Sequence, residues 1–202
     1  MSATTTRQHI VEAADRLFYE KGFEATSFTD IANEVGLSRG NFYYHFKSKD
    51  EILDAVIALR LQNTRAMLDA WESQGRDPAE RIRSFIHILI VNQAKIAHYG
   101  CPVGTLCNEL AKLDHIARKK ATKLFTLFRE WLAKQFVALG REVDADMLAM
   151  HILMRSQGVA ALATAFRDRD FIRREVDDMN AWLEAQRSSG SSLLQPLSHH
   201  SI

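Results

Sequence analysis

Apolar positions recur every three to four residues along nearly the whole chain, and no segment keeps the two-residue alternation of a strand. The first such segment covers residues 7–21. Ile10, Ala13, Ala14, Leu17 and Phe18 make one face, and Gly22 stands where a glycine commonly ends a helix. A second opens at Ser27. Ser27-Phe-Thr-Asp30 has the form of a capping box, Ile31, Ala32 and Val35 give a buried side, and Gly36 closes it. A third covers residues 38–46 and puts Phe42, Tyr43 and Phe46 on overlapping faces. Ser48-Lys-Asp-Glu51 is a second capping box; it opens a long helix carrying Ile52, Leu53, Val56, Ile57 and Leu59 and reaching towards Trp71.

A break at Gly75-Arg-Asp-Pro78 precedes a helix over residues 79–97, striped by Ile82, Phe85, Ile86, Leu89 and Ile90. Tyr99-Gly-Cys-Pro-Val-Gly104 is a second break, leading to a short helix over residues 105–113. Residues 115–139 carry Leu124, Phe128, Trp131 and Phe136, and Gly140 ends them. Residues 144–166 are rich in Met and Ala and apolar around much of the circumference, which predicts burial or packing against a partner subunit. A last helix is predicted over residues 171–185. From Ser188 the composition turns to Ser, Gly and Leu with Pro and His, which predicts a poorly ordered tail over 188–202. The fold class is all-α, with about nine helices and no internal repeat.

Composition narrows the function less than the pattern does. The net charge is only +1, so no partner follows from the whole chain, and any nucleic-acid role must rest on local charge. Two cysteines, Cys101 and Cys107, are too few for a disulfide scaffold. The start of the chain lacks the apolar core of a signal peptide. The longest apolar stretch, residues 85–91, is interrupted by His87 and falls far short of the roughly 20 residues of a membrane span. The expected compartment is the cytoplasm, with no membrane partner. No Gly-x-Ser-x-Gly, phosphate-binding glycine loop or His-Glu-x-x-His is present, so the chain does not read as an enzyme, and no cofactor is expected.

The second and third helices are joined by Val35-Gly36-Leu37, the tight glycine-containing turn of a helix-turn-helix. In that motif the start of the second helix reaches base edges. Here it presents Arg39, Asn41, Tyr43, Tyr44 and His45. From Val35 to Lys49 the charges are Arg39, Lys47 and Lys49, with no Asp or Glu. The positive charge is local, since residues 1–50 hold six Lys or Arg against seven Asp or Glu. Gly40 is costly inside a helix, but near its first turn it permits close approach to a phosphate backbone. Phe42, Tyr43, Tyr44 and Phe46 cannot all point inward from one short helix. Phe42 and Phe46 are assigned to the core and the tyrosines to phosphate contact. A purely structural helical adaptor would explain the amphipathic helices but not Tyr-Tyr-His followed by Lys-Ser-Lys.

The run from Thr26 to Leu53, and above all Gly40-Asn-Phe-Tyr-Tyr-His-Phe-Lys-Ser-Lys49, resembles the DNA-binding region of the TetR/AcrR family of bacterial transcriptional regulators, over residues 7–56. The resemblance implies a homodimer that binds a palindromic operator in double-stranded DNA and usually represses. It implies a DNA-binding domain over residues 1–50, with the helix-turn-helix at 27–46, and an effector-binding and dimerisation domain over 51–187. Carried over by position, Tyr43, Tyr44 and His45 contact phosphates or bases and Arg39 and Asn41 read base edges. Ser27, Thr29 and Lys49 hold the DNA backbone. Ser38 starts the recognition helix, and Gly40 fills a small-residue position. The last two long helices, over 144–166 and 171–185, are then expected to form the dimer interface, where Gly158, Ala161 and Ala165 permit close approach.

For a small-molecule effector, the later helices offer a mixed apolar and polar set: Phe85, His87, Leu89, Asn92, His98, Tyr99, Cys107, Trp131, His151, Met154 and Gln157. Cys101 precedes a helix start, where backbone N–H groups favour a thiolate. Its surroundings look similar to the Gly-Cys-x-x-Gly segment of a branch of the family that includes electrophile- and redox-sensing regulators. A reactive Cys101 and a structural one both remain open, and no Lys or Arg lies near it in sequence. Cys101 and Cys107 with His87, His98, His115 and His151 lack a usual zinc spacing, so no metal is expected. Arg118-Lys119-Lys120 with Lys123 reads as a solvated helix face.

Overall fold

A computed structural model describes residues 3–192 and places ten helices among them. They are α1 (Ala3–Lys21), α2 (Phe28–Glu34), α3 (Arg39–His45), α4 (Lys49–Gln74), α5 (Pro78–Val91), α6 (Gln93–Tyr99), α7 (Pro102–Lys112), α8 (Arg118–Ala138), α9 (Ala145–Phe166) and α10 (Arg169–Ser192). There is no strand among the described residues, and the all-helical class stands.

The boundaries differ from the periodic segments where capping chemistry decides. The segment over 79–97 is two helices. The Asn92 backbone N–H and side-chain Nδ2 both donate to the Ile88 carbonyl, at 3.1 and 3.0 Å, and this local competition ends α5. Helix α7 starts three residues earlier than the periodicity predicts, because Cys101 caps it and Pro102 suits a first-turn position. Helix α8 starts later, since Asp114 takes a left-handed conformation (φ 46°) and His115 Nδ1 accepts from the Ala117 N–H. Helix α10 runs on to Ser192, into the stretch predicted as tail; residues 193–202 of that tail lie outside the described residues.

The chain forms two compact units. The first takes the residues up to Met67 together with Tyr99–Leu127. Its core joins Ile10, Leu17, Ile31, Phe42, Phe46, Ile52 and Val56 to Leu106, Leu110, Ala117 and Ala121. Here α1 packs on α2 and α7, and α2 on α3. The second takes Leu68–His98 and the described residues from Phe128 onward. In it α5, α9 and α10 pack on one another, burying Ile82, Ile86, Ile152, Ala163, Ile172 and Met179. Each Ile or Leu buried fully in this way contributes about 1.5–3 kcal/mol. No helix among the described residues is long and apolar enough to cross a membrane.

Candidate nucleic-acid interface

The helix-turn-helix is assembled by caps. Ser27 Oγ accepts from the Asp30 N–H at 3.0 Å while the Asp30 carboxylate accepts from the Ser27 N–H at 2.8 Å, closing the predicted capping box. The Ser27 hydroxyl also donates to that carboxylate at 2.7 Å. The Ser27 bonds hold the Asp30 carboxyl below its usual range. Gly36 takes φ +66°, so the Leu37 N–H turns back to the Ala32 carbonyl at 3.1 Å and the chain reverses within one turn. Ser38 then caps α3 by accepting from the Asn41 N–H at 3.4 Å.

Helix α3 divides its aromatics by face. Phe42 is 0% exposed and Phe46 is buried, while Tyr43 is 39% and Tyr44 72% exposed. Phe28 edges Phe42 at 4.6 Å between centroids and lies against Tyr43 at 4.8 Å, so the Tyr43 ring is supported. The Tyr44 ring stands edge-on to the neighbouring His45 ring, at 5.2 Å between centroids. Asn41 and Gly40 are exposed, as are Ser27, Thr29 and Ser38, and His45 is half-buried. A shallow cleft of about 170 Å³ runs between α2 and α3, lined by Thr29, Asn33, Phe42 and Tyr43 among others. Lys47 Nζ donates to the Tyr43 carbonyl at 2.5 Å and complements the C-terminal end of α3. A Cβ built on Gly40 meets nothing within 4 Å, so the fold itself does not require glycine there.

Lys49 has a second task. Its ammonium donates to the Phe23 carbonyl (3.0 Å) and the Glu24 carbonyl (3.4 Å) and lies 4.3 Å above the Phe23 ring. In the basic run after α7, Lys120 pairs with Asp54 at 2.6 Å and Arg118 with Asp114 at 3.6 Å, while Lys119 and Lys123 are exposed.

The residues suggested for an effector fall in both units. Cys101 and Cys107 belong to the first; Phe85, His87, Leu89, Asn92, Trp131, His151, Met154 and Gln157 belong to the second. Phe85, Leu89 and Trp131 are core residues, whereas His87 and Met154 face outward. Asn92 is occupied in capping α5. Trp131 Nε1 donates to Glu72 at 3.1 Å, and His151 stacks on Trp182 at 4.6 Å. Gln157 Nε2 meets the Ser156 hydroxyl at 3.5 Å. Sequence reading missed Gln135, which is 1% exposed and whose Nε2 donor has no protein partner.

It also missed Arg60, the cation absent from the sequence neighbourhood of Cys101. Arg60 is buried, with Nε donating to Asp15 at 2.5 Å and Nη1 to the Pro102 carbonyl at 2.5 Å. The available signal was a charge on the apolar stripe of α4, four residues after Val56. Neither cysteine forms a disulfide. Cys101 Sγ accepts from the Gly104 N–H at 3.5 Å. Burial pushes the Cys107 thiol up to about 11, nearby Cys101 adds to this, and Arg60 opposes it. Cys107 is therefore a protonated thiol at neutral pH, and half-buried Cys101 should react first with N-ethylmaleimide. Peptide mass spectrometry after timed labelling checks this order, and faster labelling of Cys107 would contradict it. Among the described residues no group of three His, Cys, Asp or Glu side chains is placed to hold a metal ion.

Comparison with known proteins fits this geometry. Residues 10–56 match the family described as bacterial regulatory proteins, tetR family, and residues 78–177 match the C-terminal domain of LmrA/YxaF-like transcriptional regulators. An HTH-type transcriptional regulator of the lacX 3′ region in Lactococcus lactis subsp. lactis is 32% identical, over 85% of this chain and 90% of its own. The HTH-type transcriptional repressor DhaR of Mycobacterium sp. (strain GP1) is 24% identical, over 84% and 88%. A TetR-family regulator from Agrobacterium tumefaciens has the same fold, with a TM-score of 0.79 at 20% identity, over 89% of this chain and 98% of that one. The chain is a member of the TetR/AcrR family, a DNA-binding transcriptional regulator and not an enzyme.

Proposed function

We propose that the protein is a homodimeric, cytoplasmic repressor that leaves a palindromic operator when a small molecule binds it. The observation that carries the reading is the outward face of α3, where Asn41, Tyr43 and Tyr44 are displayed while Phe42 and Phe46 anchor the helix. Arg39 and Asn41 read base edges in the major groove. Tyr43, Tyr44 and His45 contact phosphates. Ser27 and Thr29 meet the sugar-phosphate backbone from the start of α2. Ser38 fixes the start of α3, and Lys49 reaches phosphate from the turn it already holds. Residues 1–50 thus serve DNA, and 51–187 serve the effector and the partner subunit.

Gly40 supports the close approach. A helical glycine costs up to about 1 kcal/mol relative to Ala, and no contact within the chain calls for it. Gly40→Ala is expected to raise thermal stability slightly and to weaken operator binding, measured by melting and by fluorescence anisotropy. Binding at wild-type strength would remove the close-approach role.

The dimer is supported by α9. Met147, Met150, Met154, Gly158, Ala161, Ala165 and Phe166 make an exposed, mostly apolar stripe along it. A Cβ added to Gly158 meets nothing within 4 Å of its own chain, which leaves room for a second α9. Across the two-fold axis α9 packs with α10, whose exposed Ala181 is small. Such an isologous contact sets the two α3 helices about one DNA turn apart, ~34–36 Å.

For the effector, the second unit offers Phe85, Leu89, Trp131 and the Gln135 Nε2 donor, whose own Oε1 accepts from Arg81 at 3.4 Å, a set suited to an apolar molecule with one hydrogen-bond acceptor. Cys101, with buried Arg60 close to Pro102, adds electrophiles to the effector class. The effector acts by binding one setting of α4 better than the other. Iterated selection of random duplexes by the purified protein tests the proposal. Enrichment of one two-fold symmetric sequence is expected; no enrichment, or a single unpaired half-site, contradicts it.

A further inference from the structure

The turn between α1 and α2 is held from two sides by groups distant in sequence. The Phe23 and Glu24 backbone N–H groups donate to the two carboxylate oxygens of Glu109 on α7, at 2.9 and 2.8 Å. The carbonyls of the same two residues accept from Lys49 Nζ at the first residue of α4. The Phe23 ring lies under that ammonium, and the His115 ring meets its edge at 5.2 Å. His115 Nε2 in turn lies 3.5 Å from Asp50. Gly22 makes the approach possible. It holds φ +95°, and a Cβ there would stand 3.1 and 3.3 Å from the Glu109 oxygens.

Two charge-assisted bonds to adjacent backbone amides fix both the position and the tilt of the turn, as one bond could not. The α2 cap, Ser27, follows three residues after Glu24. Thr29 and the turn into α3 are carried on the same segment. Glu109 does little for its own helix, since a carboxylate near a helix C-terminus opposes the dipole. Its placement answers to the turn. Helix α7 is also capped by Cys101 and touches α4 through the Pro102–Arg60 bond, so one helix links that end of the unit to the reading head.

We infer that Glu109 is the positioning residue through which α7 holds the helix-turn-helix in its operator-competent setting. This rests on the reading of the protein as an operator-binding regulator. Glu109→Ala removes both acceptors, and Glu109→Gln keeps one. The probes are the duplex selected by the wild-type protein and a scrambled duplex of the same length. Glu109→Ala should lose about tenfold or more of its preference for the selected duplex, with Glu109→Gln between it and wild type. Binding to the scrambled duplex should be little changed, and exchange of the Phe23 and Glu24 amides should speed up. A merely structural role would lower the melting temperature without moving the preference ratio. If Glu109→Ala does not fold, Glu109→Gln decides: a ratio equal to wild type, with faster exchange at one of the two amides, overturns the inference. A wild type that selects no duplex at all would instead contradict the regulator reading, whatever Glu109 does.

Discussion

Tyr44→Ala should lower DNA affinity by about tenfold or more while leaving the fold as stable as before. The side chain is 72% exposed, so truncation falls in the class of surface changes that alter stability by roughly 0.5 kcal/mol or less. If Tyr44 contacts phosphate, matched and scrambled duplexes lose affinity together, and the slope with salt stays put because the hydroxyl carries no charge. Asn41→Ala should behave differently. An Asn paired to a base edge is worth about 1–3 kcal/mol of discrimination, so the gap between matched and scrambled duplexes should narrow. Fluorescence anisotropy on both duplexes, with melting curves alongside, separates the two variants. Tyr44→Ala binding at wild-type strength would mean that the outward face of α3 does not meet DNA.

The second large effect is expected on α9. Met154 is 61% exposed in the middle of the apolar stripe, and Gly158 lies one turn further on. Met154→Asp sets a carboxylate where the partner's apolar surface would desolvate it, a cost of several kcal/mol. Gly158→Leu fills the space that close helix approach requires. Either variant should keep its helix content, because both positions are exposed on their own chain. Both should sediment as monomers. A monomer engages one half-site and forfeits the avidity of the pair, so affinity for the symmetric duplex should fall by about 10²–10⁴-fold. Sedimentation of Gly158→Leu as a wild-type dimer would show that α9 is not the interface.

Much of this was legible in the sequence because it depends on neighbours. The capping box Ser27–Asp30, the turn at Gly36 and the split of Phe42 and Phe46 from Tyr43 and Tyr44 all arise within four residues of chain. The helix ends were less legible. Asn92 breaks an apolar stripe that would otherwise run on, and its side-chain bond to the Ile88 carbonyl leaves no mark on periodicity. Contacts across the chain were the least legible. Glu109 and Phe23 are separated by 86 positions, and Arg60 and Pro102 by 42. Nothing in the spacing of either pair announces it. Arg60 could have been suspected as a charge on an apolar stripe, but its partner could not. Gln135 stands four residues after Trp131 on the apolar stripe of α8, the same kind of signal as Arg60, and it too is buried.

The most direct measurement is an anisotropy titration of the wild-type protein on its selected duplex, against the scrambled duplex, in rising salt. A sequence-specific regulator should hold the selected duplex about 10³-fold or more tighter, with that ratio surviving as salt weakens both complexes. Equal affinities that vanish together with salt would contradict the account, leaving α3 with charge attraction and no reading of sequence.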